Sequence, residues 1–193
     1  MNLADRLTLS RIILAPVFFA LYMLLMRFGE QYAAWIVPLL WVIAVVSELT
    51  DMFDGMAARR LNQASDFGRL FDPFADTLMQ ITCFFCFVID GIFPAILFLV
   101  VLYREFGILF IRNLMLKKGI VMGARISGKL KTVTYVVAAA AAFFYASLKY
   151  LAILEAAQPV MLLAARIVFA VSALISVVSF FDYLSVYRKS RFT

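Results

Sequence analysis

From Glu48 to Asp76 the chain reads ELTDMFDGMAARRLNQASDFGRLFDPFAD, and both the architecture and the chemistry follow from this stretch. It carries the carboxylates of Glu48, Asp51, Asp54, Asp66, Asp72 and Asp76, yet long apolar runs flank it on both sides. An acidic residue at the centre of a membrane helix costs about 2.5–3.5 kcal/mol on insertion scales. So much negative charge beside apolar helices needs basic partners, protonation or metal ions to offset it. Spacing favours metal. At about 100° per residue, Asp51, Asp54, Gly55 and Ala58 fall within an arc of roughly 100°. Asp72 and Asp76 lie about 40° apart on the next helix. A short connection makes the two helices antiparallel neighbours, so their acidic faces can meet. The chain has no histidine, and an all-oxygen set suits magnesium, manganese or calcium rather than zinc. Cys83 shares the face of Asp76 but lies about 10 Å deeper along the helix, out of ligand range.

The rest of the chain supplies the solvent for this argument. Of 193 residues, 65% are hydrophobic and 16% charged, against about 45–50% and about 25% in soluble domains. A chain this short cannot bury so much apolar side chain in its own core, so the bilayer takes the surplus. The absence of histidine also removes His-based triads, His-ligated zinc and haem. Cys83 and Cys86 sit inside an apolar run and read as buried small hydrophobes rather than a redox pair. The net charge of +6 reads as a topology signal beside membrane spans, and no nucleic-acid partner is expected.

The expected fold is all-α: a membrane protein of six transmembrane helices, about 12–27, 33–58, 68–89, 93–114, 128–149 and 158–186. Residues 1–193 form a single domain in this reading. It has a short N-terminal interfacial amphipathic helix (1–11), a six-helix bundle (12–186) and a basic C-terminal tail (187–193). The polar start has no small-residue cleavage site after it and reads as retained. With six spans, most basic residues share one side: Arg6 and Arg11; Arg59, Arg60 and Arg69; Arg112, Lys117, Lys118, Arg125, Lys129 and Lys131; and Arg188, Lys189 and Arg191. The positive-inside rule places that side, and both termini, in the cytoplasm.

The pattern Asp51-x2-Asp54-Gly55-x2-Ala58-Arg59-x8-Gly68-x3-Asp72-x3-Asp76 resembles the signature of the CDP-alcohol phosphotransferase family at every fixed position. The six-span layout is similar too, so the resemblance covers most of the chain. It implies a CDP-linked lipid donor, usually CDP-diacylglycerol. It also implies two divalent cations, Mg2+ or Mn2+, held by Asp51, Asp54, Asp72 and Asp76. By the same resemblance Gly55, Ala58, Arg59 and Gly68 line the cytidine diphosphate pocket, Asp76 is the general base, and the enzyme is a homodimer. The small residues fit this physically, because they let a diphosphate approach the backbone, and Arg59 stands one turn from the carboxylates.

The acceptor is read from a second region. Arg104-Glu105-Phe106, Arg112 and Gly128-Lys129-Leu130-Lys131-Thr132 resemble the corresponding stretch of bacterial phosphatidylglycerophosphate synthases, as does Thr8-x2-Arg11. The resemblance implies glycerol 3-phosphate as acceptor, with Arg104, Arg112, Lys129 and Lys131 holding its phosphate. Thr8, Arg11, Glu48, Asp66 and Arg125 are further site candidates. The chain departs from the pattern at Thr77, where lysine is usual, at Asp5, where asparagine is usual, and in the extra carboxylate Glu48. Other acceptors (inositol phosphate, serine, phosphatidylglycerol or choline) stay open. So do a divalent-cation carrier built on intramembrane carboxylates and a purely structural subunit. The expected setting is a bacterial plasma membrane, in contact with its lipids, with the active site facing the cytoplasm.

Overall fold

The computed structural model describes residues 3–61, 66–117, 119 and 126–191, with side chains over 8–29, 31–50, 71–117, 119 and 126–188. The helices are α1 (Leu3–Leu61), α2 (Asp66–Ile89), α3 (Ala95–Lys117), α4 (Ile126–Tyr150) and α5 (Gln158–Arg191), with a 3-10 turn at Glu155–Ala157. No strand occurs among the described residues.

Among the described residues, five segments are long and apolar enough to cross a membrane: Thr8–Gly29, Gln31–Thr50, Phe71–Ile89, Ile126–Tyr150 and Glu155–Arg188. The chain is a membrane protein. The expected fourth span, 93–114, coincides with α3, which falls outside these five because it carries Arg104, Glu105, Arg112 and Lys117. Two expected boundaries also shift. Leu3 starts a helix that enters the first span without a non-helical residue before Phe28, so no break sets residues 3–11 apart from that span. The break between the first two spans falls at Phe28 (φ −130°, ψ 21°) rather than at Gly29-Glu30. At the other end α5 continues to Arg191, so the basic tail begins as helix. Pro73 lies well inside α2. It removes one i→i−4 hydrogen bond, and α2 runs on through it.

The helices form two compact units, one of Met1–Cys86 with Tyr150–Ile153, the other of Phe87–Lys149 with Leu154–Thr193. In the first, the buried seam of α1 runs through Thr8, Arg11, Ala15, Phe18, Tyr22 and Leu25. These are the three- and four-residue steps of one helix face. The seam is apolar from Ala15 onward and polar only at Thr8 and Arg11. After Phe28 the buried positions are Ala33, Val37, Leu40, Ile43 and Ser47, and α2 contributes Ala75, Met79, Phe84 and Cys86. The Phe19 and Phe85 rings stack with centroids 6.2 Å apart. Outward positions are apolar as well, and Trp35 is 80% exposed, as expected of a face solvated by lipid.

In the second unit α2 ends in a glycine cap. Gly91 takes φ +74°, its N–H donates to Val88 O, and the Ile92 N–H donates to Phe87 O. This is the paired-bond pattern of a left-handed C-terminal cap. Arg166 then donates to the Gly91 and Ile92 carbonyls, and Lys149 pairs with Asp90. The Phe93 and Phe169 rings stack at 3.8 Å. Helices α3 and α5 pack closely, and Gly107 allows the approach. A Cβ there would stand 2.9 Å from the Phe180 ring. Gly107→Val is therefore expected to destabilise the protein by about 1–3 kcal/mol through overpacking, read as a lower melting temperature in detergent, with Gly107→Ala in between.

Candidate active site

Helix α1 carries Asp51, Asp54, Gly55, Ala58 and Arg59 in its last turns, and α2 carries Asp66 and Gly68 in its first. Their side chains lie outside the described residues, as does Arg125. The other two aspartates of the signature are described, and each has a partner on the first limb of α1. Thr8 Oγ1 donates to Asp72 Oδ1, and Arg11 Nη1 donates to Asp76 Oδ1 in an ion pair. Thr8 and Arg11 are three apart on one helix, Asp72 and Asp76 four apart on the other, so one face meets the other rung by rung.

The polarity of the α1 seam now has a physical account. Arg11 is 1% exposed and would be costly to bury without a counter-charge. Asp76 supplies that charge, while its own side chain stays 43% exposed. The carboxylate is thus anchored on one side and open on the other. Glu48 is exposed and stands near enough to Cys83 for a charge interaction.

The donor chemistry fits a hard divalent cation. Asp72 and Asp76 offer only oxygen, share a face, and are both partly accessible; a guanidinium and a hydroxyl already occupy one oxygen of each. Among the described residues no group of three or more His, Cys, Asp or Glu converges, since Asp51 and Asp54 are not among them.

The basic residues form a cluster in the second unit. Arg104 and Glu105 on α3 are buried. Arg104 donates through Nε to Ser176 O at 3.1 Å, through Nη2 to Ser179 Oγ at 3.0 Å and through Nη1 to Glu105 Oε1 at 2.8 Å. Lys131 on α4 donates to the same Glu105 oxygen at 3.1 Å, and its ammonium lies 4.5 Å from the Tyr135 ring centroid. Arg112 sits over the Tyr183 ring at 5.7 Å and close enough to Lys131 for their charges to interact. Ser127 donates to Asp182 at 2.6 Å, joining α4 to α5. Lys129 is exposed.

Of the acceptor-site candidates, then, Arg104, Arg112 and Lys131 gather in one place, and each nitrogen of Arg104 already has a protein acceptor. Sequence reading quoted Glu105 only within the run Arg104-Glu105-Phe106 and gave it no role, and it passed over Ser176, Ser179 and Tyr183. The small-residue stripe Ser172, Ser176 and Ser179, all fully buried, is the signal that would have pointed to α5 as partner of a buried cation.

Comparison with known proteins identifies the family. The CDP-alcohol phosphatidyltransferase family model matches residues 1–178. The chain is 37% identical to the CDP-diacylglycerol–glycerol-3-phosphate 3-phosphatidyltransferase of Treponema pallidum (strain Nichols), over 97% of this chain and 89% of that protein. It is 30% identical to the enzyme of the same name from Bacillus subtilis (strain 168), over 72% and 75%. With the aspartate signature continuous across α1 and α2 and the match running nearly end to end, the chain belongs to the CDP-alcohol phosphatidyltransferase family and is an enzyme of that kind.

Proposed function

We propose that this enzyme transfers the phosphatidyl group from CDP-diacylglycerol to sn-glycerol 3-phosphate, forming phosphatidylglycerophosphate and releasing CMP. The near full-length likeness to a relative named for that donor and acceptor carries the reading. The buried basic cluster around Lys131 agrees with a phosphorylated alcohol as the second substrate. Family membership leaves no role for the cation-carrier reading.

In this proposal Asp51, Asp54, Asp72 and Asp76 hold two divalent cations, Mg2+ or Mn2+. When bound, these ions neutralise charge on the diphosphate and on the acceptor oxygen. Gly55, Ala58 and Gly68 leave room for the cytidine diphosphate, and Arg59 binds its phosphate oxygens. Asp76 takes the proton of the acceptor hydroxyl. The new O–P bond forms at the phosphorus next to the lipid, and the bond from that phosphorus to CMP breaks. Arg11 grips Oδ1 of Asp76 and leaves the second oxygen for the proton. By the resemblance, Arg104, Arg112, Lys129 and Lys131 serve the acceptor's phosphate.

Six spans also belong to the proposal. Helix α3 hides Arg104 and Glu105 in the second unit while Ile96, Val100, Tyr103, Phe106 and Phe110 are exposed. Those residues make an apolar outer stripe suited to lipid, with the charges turned inward. Both termini and the site face the cytoplasm of a bacterial plasma membrane, and the enzyme works as a homodimer, a reading that rests on family resemblance.

The test is CMP release by the purified protein with CDP-diacylglycerol and Mg2+ or Mn2+. Glycerol 3-phosphate is expected to drive release, and inositol phosphate, serine, phosphatidylglycerol and choline are expected not to. Release driven by a different alcohol would keep the chemistry and replace the acceptor.

A further inference from the structure

Glu105 has no place in the aspartate signature, yet it sits at the centre of the second unit's charge network. It is 4% exposed, and its Oε1 accepts from both Arg104 and Lys131. A buried carboxylate is costly unless its partners compensate it, so its position between two cations needs a physical reason. Arg104 is tied to α5 at Ser176 and Ser179 and turns its remaining nitrogen to Glu105. It is held too firmly to reach for a ligand. Lys131 differs. Its ammonium has three donors, donates to Glu105 at 3.1 Å, and has 12% side-chain exposure. Arg112 beside it has a buried Nε without a hydrogen-bond partner among the described residues. Arg104 is fixed at each of its nitrogens, so the cations free to adjust to an anion are Lys131 and Arg112, and the carboxylate is what stands between Lys131 and the fixed guanidinium.

Without Glu105, Arg104 and Lys131 would repel one another in a poorly solvated interior, and the flexible lysine would swing away. We propose that Glu105 is a positioning residue for the phosphorylated acceptor: anchored by Arg104 to α5, it holds the Lys131 ammonium where the acceptor's phosphate binds. This rests on the acceptor reading given above. The acceptor phosphate then meets a lysine already in place, and Arg104 acts on it through Glu105 without touching it.

The experiment is steady-state CMP release by the full-length protein in nanodiscs, varying glycerol 3-phosphate and CDP-diacylglycerol separately, for Glu105→Gln, Lys131→Ala and the double variant. Glu105→Gln is expected to raise KM for glycerol 3-phosphate about tenfold, a loss of about 1.4 kcal/mol, with KM for the donor unchanged within about twofold. In the Lys131→Ala background the same change should add nothing to the acceptor KM, because the carboxylate acts through the lysine. Glu105→Asp, which keeps the charge on a shorter arm, should recover part of the loss. It also serves if Glu105→Gln does not accumulate as folded protein.

An unchanged acceptor KM in Glu105→Gln, an equal rise in both KM values, or a full effect in the Lys131→Ala background would each overturn the assignment. Failure of the acceptor reading looks different. There, Lys131→Ala itself leaves the acceptor KM alone, and if the cations serve an anionic lipid headgroup it alters instead the dependence on anionic lipid in the nanodisc.

Discussion

Asp76→Asn is expected to lower CMP release by at least about 10³-fold in protein that still folds. The substitution keeps the shape of the side chain and removes its charge. Asparagine retains an oxygen to accept from Arg11, so the contact between α1 and α2 survives in part. It cannot take a proton from the acceptor hydroxyl, and general-base catalysis alone contributes about 10²–10⁴-fold. It also weakens any cation that the carboxylate helps to hold. The side chain is 43% exposed, but the Arg11 that it pairs is buried, so some loss of stability is expected beside the loss of rate. Rate measurements should be paired with circular dichroism and with Mn2+ binding followed by electron paramagnetic resonance. A variant with normal rates would remove Asp76 from the reaction. A variant that is unfolded would be replaced by Asp72→Asn, whose carboxylate accepts from Thr8 and is expected to lose cation binding in the same assay.

Arg11→Ala is the second large effect, and it should appear in both stability and rate. Arg11 is the bulkiest of the fully buried side chains, so its removal leaves a cavity at the end of the α1 seam and an unpaired carboxylate beside it. Breaking a fully buried pair costs about 3–5 kcal/mol. Here about 2–3 kcal/mol is expected, because Asp76 is partly open to water and recovers some solvation. CMP release should fall about 100-fold, since an aspartate released from its anchor no longer holds one orientation. Arg11→Lys keeps the charge without the planar fork and should fall between the two. A melting curve in detergent and the rate at saturating substrates separate the losses. If Arg11→Ala melted earlier yet turned over normally, the ion pair would be structural only.

Much of the site was legible because the chemistry that builds it is local in sequence. Asp72 and Asp76 share a face for no reason beyond the pitch of a helix, and the signature names its residues without any knowledge of packing. Thr8 and Arg11 were site candidates by resemblance alone, and the helix they meet lies more than sixty residues along the chain. Spacing within α1 cannot supply that. Arg104 illustrates the opposite case. A basic residue within an apolar run was expected to reach for a phosphate, and only the fold shows that Ser176, Ser179 and Glu105 surround it. The partner serines lie on α5, and small polar residues in a membrane helix carry no mark of which neighbour they serve.

Boundaries divided along similar lines. Five apolar segments stand out by composition, because a bilayer tests each helix for length and hydrophobicity on its own. Helix α3 was expected as a span too, 93–114, but its charges set it apart from these five, and of them Arg104 and Glu105 pair in the fold. The break at Phe28 rather than at the glycine beside it is likewise a matter of packing. Gly29 stays buried under Tyr150, where a Cβ would stand 2.7 Å from the ring, so the glycine serves a close approach and its neighbour takes the non-helical geometry. The sequence by itself determined the membrane, the helices and the family signature, which depend on each segment's own composition and period. Tertiary structure alone decided which partners surround Arg11, Arg104 and Lys131, because the partners of a buried charge are chosen by helices far apart in the chain.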